Sequence, residues 1–159
     1  MLGGILSSLV LSSHEESLSR VTELAFFIPL IAATAGNVGV QSSAIVVQSI
    51  ASGVKDIEST SKKILKEVSV ALVTATFFAT LIFTYIFFSR GDMNLTYSVS
   101  ITLFIVILTA SLFGTVIPLI LHKLKIDPAV ATGPFITTMN DILGLLIYLA
   151  IGQMFFNIL

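Results

Sequence analysis

Charge is confined to a few short stretches of this chain, and the blocks between them are almost wholly apolar. They run Met1–Leu11, Leu24–Ser52, Val68–Ser89, Val99–Leu121 and Gly133–Leu159. A helix needs about 20 apolar residues to cross the hydrocarbon core of a bilayer. The last four blocks reach that length, and in hydrocarbon such segments satisfy their backbone groups internally as helices. Met1–Leu11 does not, and is expected to be the second half of a crossing whose beginning lies outside this chain. The expected fold is therefore an all-α membrane protein of five transmembrane helices, the first partial.

Composition agrees with the block pattern. Charged residues are 11% of the chain and hydrophobic residues 55%, against about a quarter charged in soluble domains. The net charge of -1 lacks the basic excess of a nucleic-acid surface. With no cysteine, disulfides and thiolate metal sites are excluded. No nucleophile–base pair, phosphate loop or metalloprotease spacing occurs, so an enzyme is not expected. A chain of 159 residues without an internal repeat forms a pore most readily where copies meet, so oligomerisation is expected. Lys55, Lys62, Lys63 and Lys66 lie in one connection and Lys123 and Lys125 in another, while the other two hold only Arg20 and Arg90. The positive-inside rule puts the lysine-rich connections in the cytoplasm and the carboxyl terminus outside.

Two sets of polar residues interrupt the grease. Asp141 stands in the last block, where an ionised carboxylate costs at least about 2.5–3.5 kcal/mol to insert. At helical spacing Thr137, Thr138, Asp141, Gly144 and Tyr148 share a face, expected to line a wet path for a cation or proton. A carboxylate paired with a basic residue, or protonated and bonded to a neighbouring helix, is the alternative; no Lys or Arg lies inside an apolar block to pair with it. In the second block Thr34, Asn37, Gln41 and Gln48 form a polar stripe, and Ala32, Gly36, Gly39 and Ser43 a small-residue one. The amides suit either a hard cation with its water shell or hydrogen bonding between helices, and spacing leaves both open. Ala71, Ala75 and Ala79 form a ridge suited to helix packing, and Pro118 is expected to kink the fourth block. Asp127 and Glu67, near the cytoplasmic ends, are candidates for a superficial cation site.

Phe27-Ile28-Pro29 followed by Thr34-Ala35-Gly36-Asn37-Val38-Gly39-Val40-Gln41-Ser42 resembles a signature of the MgtE family of magnesium channels. Gly114 through Pro118, Leu124 to Ala129, Gly133 to Thr138, and Asp141 with Gly144-Leu145-Leu146-Ile147-Tyr148 resemble that family's last two helices. The resemblance covers nearly the whole chain. It implies a homodimeric domain over residues 1–159 in a cell membrane (plasma or inner), with a Mg²⁺ pore at the dimer interface formed mainly by the second and fifth helices. Hydrated Mg²⁺ would be held by paired Asp141 carboxylates, with Thr137 and Gly133 on the same surface; Asn140 completes the expected metal set. Gly36, Asn37, Gln41, Thr34, Thr138 and Gly144 are the expected pore lining. Asp127, and more loosely Glu67, match acidic positions at the cytoplasmic mouth. Ala35-Gly36 stands where the family usually has two glycines, and Gly133 where some members have Asn. The family's cytosolic amino-terminal and CBS domains are expected to be absent. The alternatives to a channel are a counter-ion-coupled Mg²⁺ carrier and a non-conducting membrane module.

Overall fold

The computed structural model describes residues 2–13, 22–52, 60–131 and 133–156. They are helical, with no strand among them: α1 (Leu2–Ser13), α2 (Thr22–Ala25), α3 (Ile28–Ala51), α4 (Thr60–Arg90), α5 (Met93–Lys123), a 3₁₀ turn (Pro128–Ala131) and α6 (Pro134–Phe156). Four spans among the described residues are long and apolar enough to cross a membrane: Thr22–Ala51, Ile64–Arg90, Met93–Lys123 and Pro134–Phe156. At 1.5 Å per residue the shortest is about 35 Å long, against a hydrocarbon core of about 30 Å. Helix α1, with 12 residues, reaches only about 18 Å. His14, Glu15, Arg20 and Lys55 lie outside the described residues, and the side chain of Lys63 is likewise not described.

The break between α2 and α3 follows from Pro29. Proline has no N–H to give to the carbonyl four residues back, and its ring crowds that carbonyl. The helix stops at Ala25, passes Phe26 and Phe27 with N–H bonds to Glu23 O (3.3 Å) and Leu24 O (3.2 Å), and restarts with Pro29 in its first turn. Between α4 and α5 the reversal takes two residues. Gly91 has φ +70°, the left-handed conformation that ends many helices, and Asp92 caps α5 by accepting from Leu95 N at 3.0 Å. Inside α5, Pro118 leaves the carbonyl of Gly114 without its helical donor, yet the helix continues to Lys123.

Helix α5 is the hub, packing on α3, α4 and α6, while α4 packs principally on α5 alone. The core joins Ile31 and Ala35 of α3, Ala75, Ile82 and Ile86 of α4, Leu95, Val99, Leu103, Val106 and Ile107 of α5, and Tyr148 of α6. Ala71 and Ala75 are buried, so this part of the alanine ridge serves packing, as its spacing suggested. The opposite face of α4 exposes Val73, Phe77, Leu81, Tyr85 and Phe88, side chains suited to hydrocarbon. At one end of the bundle the exposed Arg90 guanidinium lies 3.7 Å from Glu23 and 5.8 Å from the centre of the Phe26 ring. The α4–α5 turn and the start of α2 therefore share one side.

Candidate functional site

Gly36 and Gly39 of the second block meet Thr137, Asn140 and Asp141 of the last where α6 crosses α3. Helix α6 begins at a left-handed residue, Gly133 (φ +65°), followed at once by Pro134. The Gly133 carbonyl accepts from both the backbone N–H and the hydroxyl of Thr137, each at 3.0 Å. This pair of hydrogen bonds fixes the first turn and leaves the Thr137 hydroxyl oxygen able to accept.

One turn on, Asp141 lies over Gly36. A Cβ placed at Gly36 would come within 2.7 Å of Asp141 Oδ1 and 3.0 Å of Thr137 Cγ2. Any side chain at position 36 would occupy the space the carboxylate uses. Asp141 is half-buried, and no described side chain donates to it or pairs with it. The expected ion-pair alternative therefore finds no partner among the described residues.

Asn140 takes the adjacent direction and is only 2% exposed. Its amide occupies the space that a Cβ on Gly39 would take, and its Nδ2 has no hydrogen-bond partner. On its other side Gly39 presses its carbonyl against Gly114 of α5. Beside that crossing the Ser42 and Ser111 hydroxyls share a buried hydrogen bond of 3.0 Å. Three helix backbones thus converge next to Asp141. The Gly114 and Ser111 contributions were not anticipated; their spacing of three in the fourth block, followed by Pro118, was the available signal.

The face expected to carry Thr137, Thr138, Asp141, Gly144 and Tyr148 together is divided in the folded chain. Thr138 turns to α1, where its Oγ1 would be 2.8 Å from a Cβ on Gly3. Gly144 is buried, its Cβ position 3.1 Å from Ala35 Cβ and 3.4 Å from Val106 Cγ1. The buried Tyr148 hydroxyl donates to Leu24 O at 2.9 Å, tying α6 to the end of α2. Gly144 and Tyr148 therefore pack inside the bundle. Thr137 and Asp141 remain at its edge.

The polar stripe of α3 has the opposite disposition. Asn37, Gln41 and Gln48 are exposed and Thr34 is half-buried, while Gly36, Gly39 and Ser43 face inward. Thr34 Oγ1 donates to Leu30 O at 2.7 Å. Exposed amides in the middle of a membrane-length helix have no counterpart in hydrocarbon and call for protein or water beside them. The site thus sits on a border. The Asp141–Gly36 contact marks the edge of the bundle, and the next residue, Asn37, already points away from it.

The other acids lie apart from this arrangement. Asp127 is exposed, and its Oδ1 accepts from Ala129 N at 2.9 Å, capping the 3₁₀ turn. Glu67 is half-buried on α4. No group of three or more His, Cys, Asp or Glu residues able to hold a metal occurs among the described residues. One copy offers one carboxylate and neutral oxygens, a donor set suited to a hard cation that keeps most of its water.

Sequence comparisons show which known proteins the chain is similar to. The family model for MgtE, a divalent cation transporter, matches residues 28–151. The magnesium transporter MgtE of Bacillus subtilis is 36% identical over 154 residues, covering 97% of this chain and 34% of that protein. That of Thermus thermophilus is 31% identical over 154 residues, with the same coverage of 97% and 34%. That of Enterococcus faecalis is 36% identical over 152 residues, covering 96% and 34%. The chain spans about a third of the length of the curated relatives it matches.

Proposed function

The chain belongs to the MgtE family of divalent cation transporters, and from that premise we propose that it conducts Mg²⁺ through a membrane as a homodimer. The substrate comes from the three relatives, each named a magnesium transporter. The observation that carries the reading is the unpaired, half-buried Asp141 carboxylate held over Gly36 inside a membrane-length helix.

Two copies facing each other across the α3 and α6 surfaces bring two carboxylates to one divalent ion. They also give the exposed Asn37 and Gln41 amides a polar environment. Mg²⁺ sheds its waters reluctantly, so Asp141, the Thr137 hydroxyl and backbone oxygens near Gly133 act on the hydrated ion. A single acidic ring admits the ion and still releases it. Asn37, Gln41 and Thr34 line the approach on α3, with Gly36 providing room for the carboxylate. Thr138 and Gly144 support this surface from behind. The lysine-rich connections face the cytoplasm, which places Asp127 and Glu67 near the inner mouth and the carboxyl terminus outside.

The test is Mg²⁺ flux into liposomes containing the purified chain, with wild type and Asp141→Ala compared at equal incorporation. Asp141→Ala is expected to abolish the flux, and undiminished flux would remove the carboxylate from the mechanism. A current driven by voltage alone identifies a channel, whereas flux that requires a counter-ion gradient identifies a coupled carrier.

A further inference from the structure

The Asn140 amide is nearly inaccessible, holds an unpartnered Nδ2, and fills the hollow left by a residue without a side chain. A group enclosed in this way is poorly placed to touch a passing ion. We infer that Asn140 is a positioning residue: seated in the Gly39 hollow, it fixes the rotation of α6 and so the direction of the neighbouring Asp141 carboxylate.

Consecutive residues of an α-helix point about 100° apart. With Asn140 plugged against α3, Asp141 must emerge at the border of the bundle, over Gly36. The hollow itself is rigid. Gly39 is backed by Gly114 of α5, main chain against main chain, with Ser42 Cβ 3.0 Å from the Gly114 Cβ position. The plug therefore cannot deepen its seat by pushing α3 aside. It also gains nothing from the unpaired Nδ2, since an unsatisfied buried donor is a net cost. Shape is what the amide contributes. This inference rests on the proposal that Asp141 handles the ion, but the rotation it describes can be read without any ion.

The chain contains no cysteine, so an Asp141→Cys variant carries a single thiol whose reaction with a charged methanethiosulfonate reports the direction of position 141. Added Gly39→Ala should expel the plug, part the helices and speed labelling several-fold. Added Asn140→Ala should let α6 settle into the empty hollow and slow it several-fold. Asn140→Leu, with the same branching as Asn, should keep the starting rate, and Gly39→Ala with Asn140→Ala should return towards it. With Asp141 intact, Asn140→Ala should weaken the apparent Mg²⁺ affinity of flux by about tenfold, the usual scale for losing an outer support of a metal ligand, while Asn140→Leu keeps it.

Equal labelling in all these backgrounds would overturn the inference. So would an Asn140→Leu variant as impaired in affinity as Asn140→Ala, because a direct ligand cannot be replaced by a hydrocarbon. If the labelling pattern holds while the wild-type chain carries no Mg²⁺, the positioning role stands and the transport proposal fails.

Discussion

Replacing Gly114 by alanine tests the convergence of three helices most directly. The new methyl would meet the Gly39 carbonyl oxygen, with Ser42 Cβ at 3.0 Å and the Gly39 carbonyl carbon at 3.2 Å. Carbon atoms rest at roughly 3.5–4.0 Å, and none of these atoms is the far end of a flexible side chain. Helices α3 and α5 must therefore part by about half an ångström. Overpacking of this kind costs about 1–3 kcal/mol. Parting also stretches the 3.0 Å bond between Ser42 and Ser111, worth about 0.5–1.5 kcal/mol. Against this, alanine is a better helix former than glycine by about 1 kcal/mol. The net loss is about 0.5–3.5 kcal/mol, or about 1–14 °C in melting temperature for a chain of this length. The assay is thermal unfolding in detergent at one fixed scan rate, because membrane proteins commonly unfold irreversibly. Gly4→Ala is the control: nothing lies within 4 Å of its Cβ position, so it should melt at or above the wild-type temperature. A Gly114→Ala protein that melts with the wild type would refute the three-helix clamp.

Three further outcomes are expected. Tyr148→Phe removes the bond to Leu24 O but leaves that carbonyl the Phe27 N–H, so the same melting assay should show a loss near 1 kcal/mol. Gly36→Ala forces aside the mobile end of Asp141 and crowds a Thr137 methyl that the hydroxyl bond to Gly133 O holds in place. Alanine's better helix propensity offsets part of this, so its melting temperature should fall less than that of Gly114→Ala, while apparent Mg²⁺ affinity, measured by flux, drops about 10-fold or more. Arg90→Ala breaks a pair whose side chains are 45% and 42% exposed, and its effect on melting should stay below about 1 kcal/mol even at low salt.

Much of the architecture was legible because hydrocarbon leaves few choices. The last three apolar blocks each became one helix, the second broke at Phe26-Phe27 ahead of Pro29, and the small residues Gly36, Gly39 and Ser43 turned inward as their spacing implied. Helix ends were less legible. The fourth apolar block begins at Val99, whereas α5 starts at Met93. Asn94, Thr96 and Ser98 hid the first turns, although Gly91-Asp92 already carried the stop and start signals. That Asp141 is out of place in an apolar block could be seen from its insertion cost alone. What periodicity could not supply was the identity of each residue's neighbour. Thr138 met α1, Gly144 met Ala35 and Val106, and Asn140 found a hollow that exists only because Gly39, far away in the chain, lacks a side chain. A helical wheel gives directions. It does not say what lies along them.

Helix α4 leans on α5 and little else, and its outer face of Val73, Phe77, Leu81, Tyr85 and Phe88 is exposed. It behaves as an outrigger. A fluorophore or spin label attached along that rim should ride with the bundle without disturbing the polar edge that α3 and α6 form. On the proposed dimer, which pairs the α3 and α6 surfaces, the rim is the natural handle for watching two copies approach.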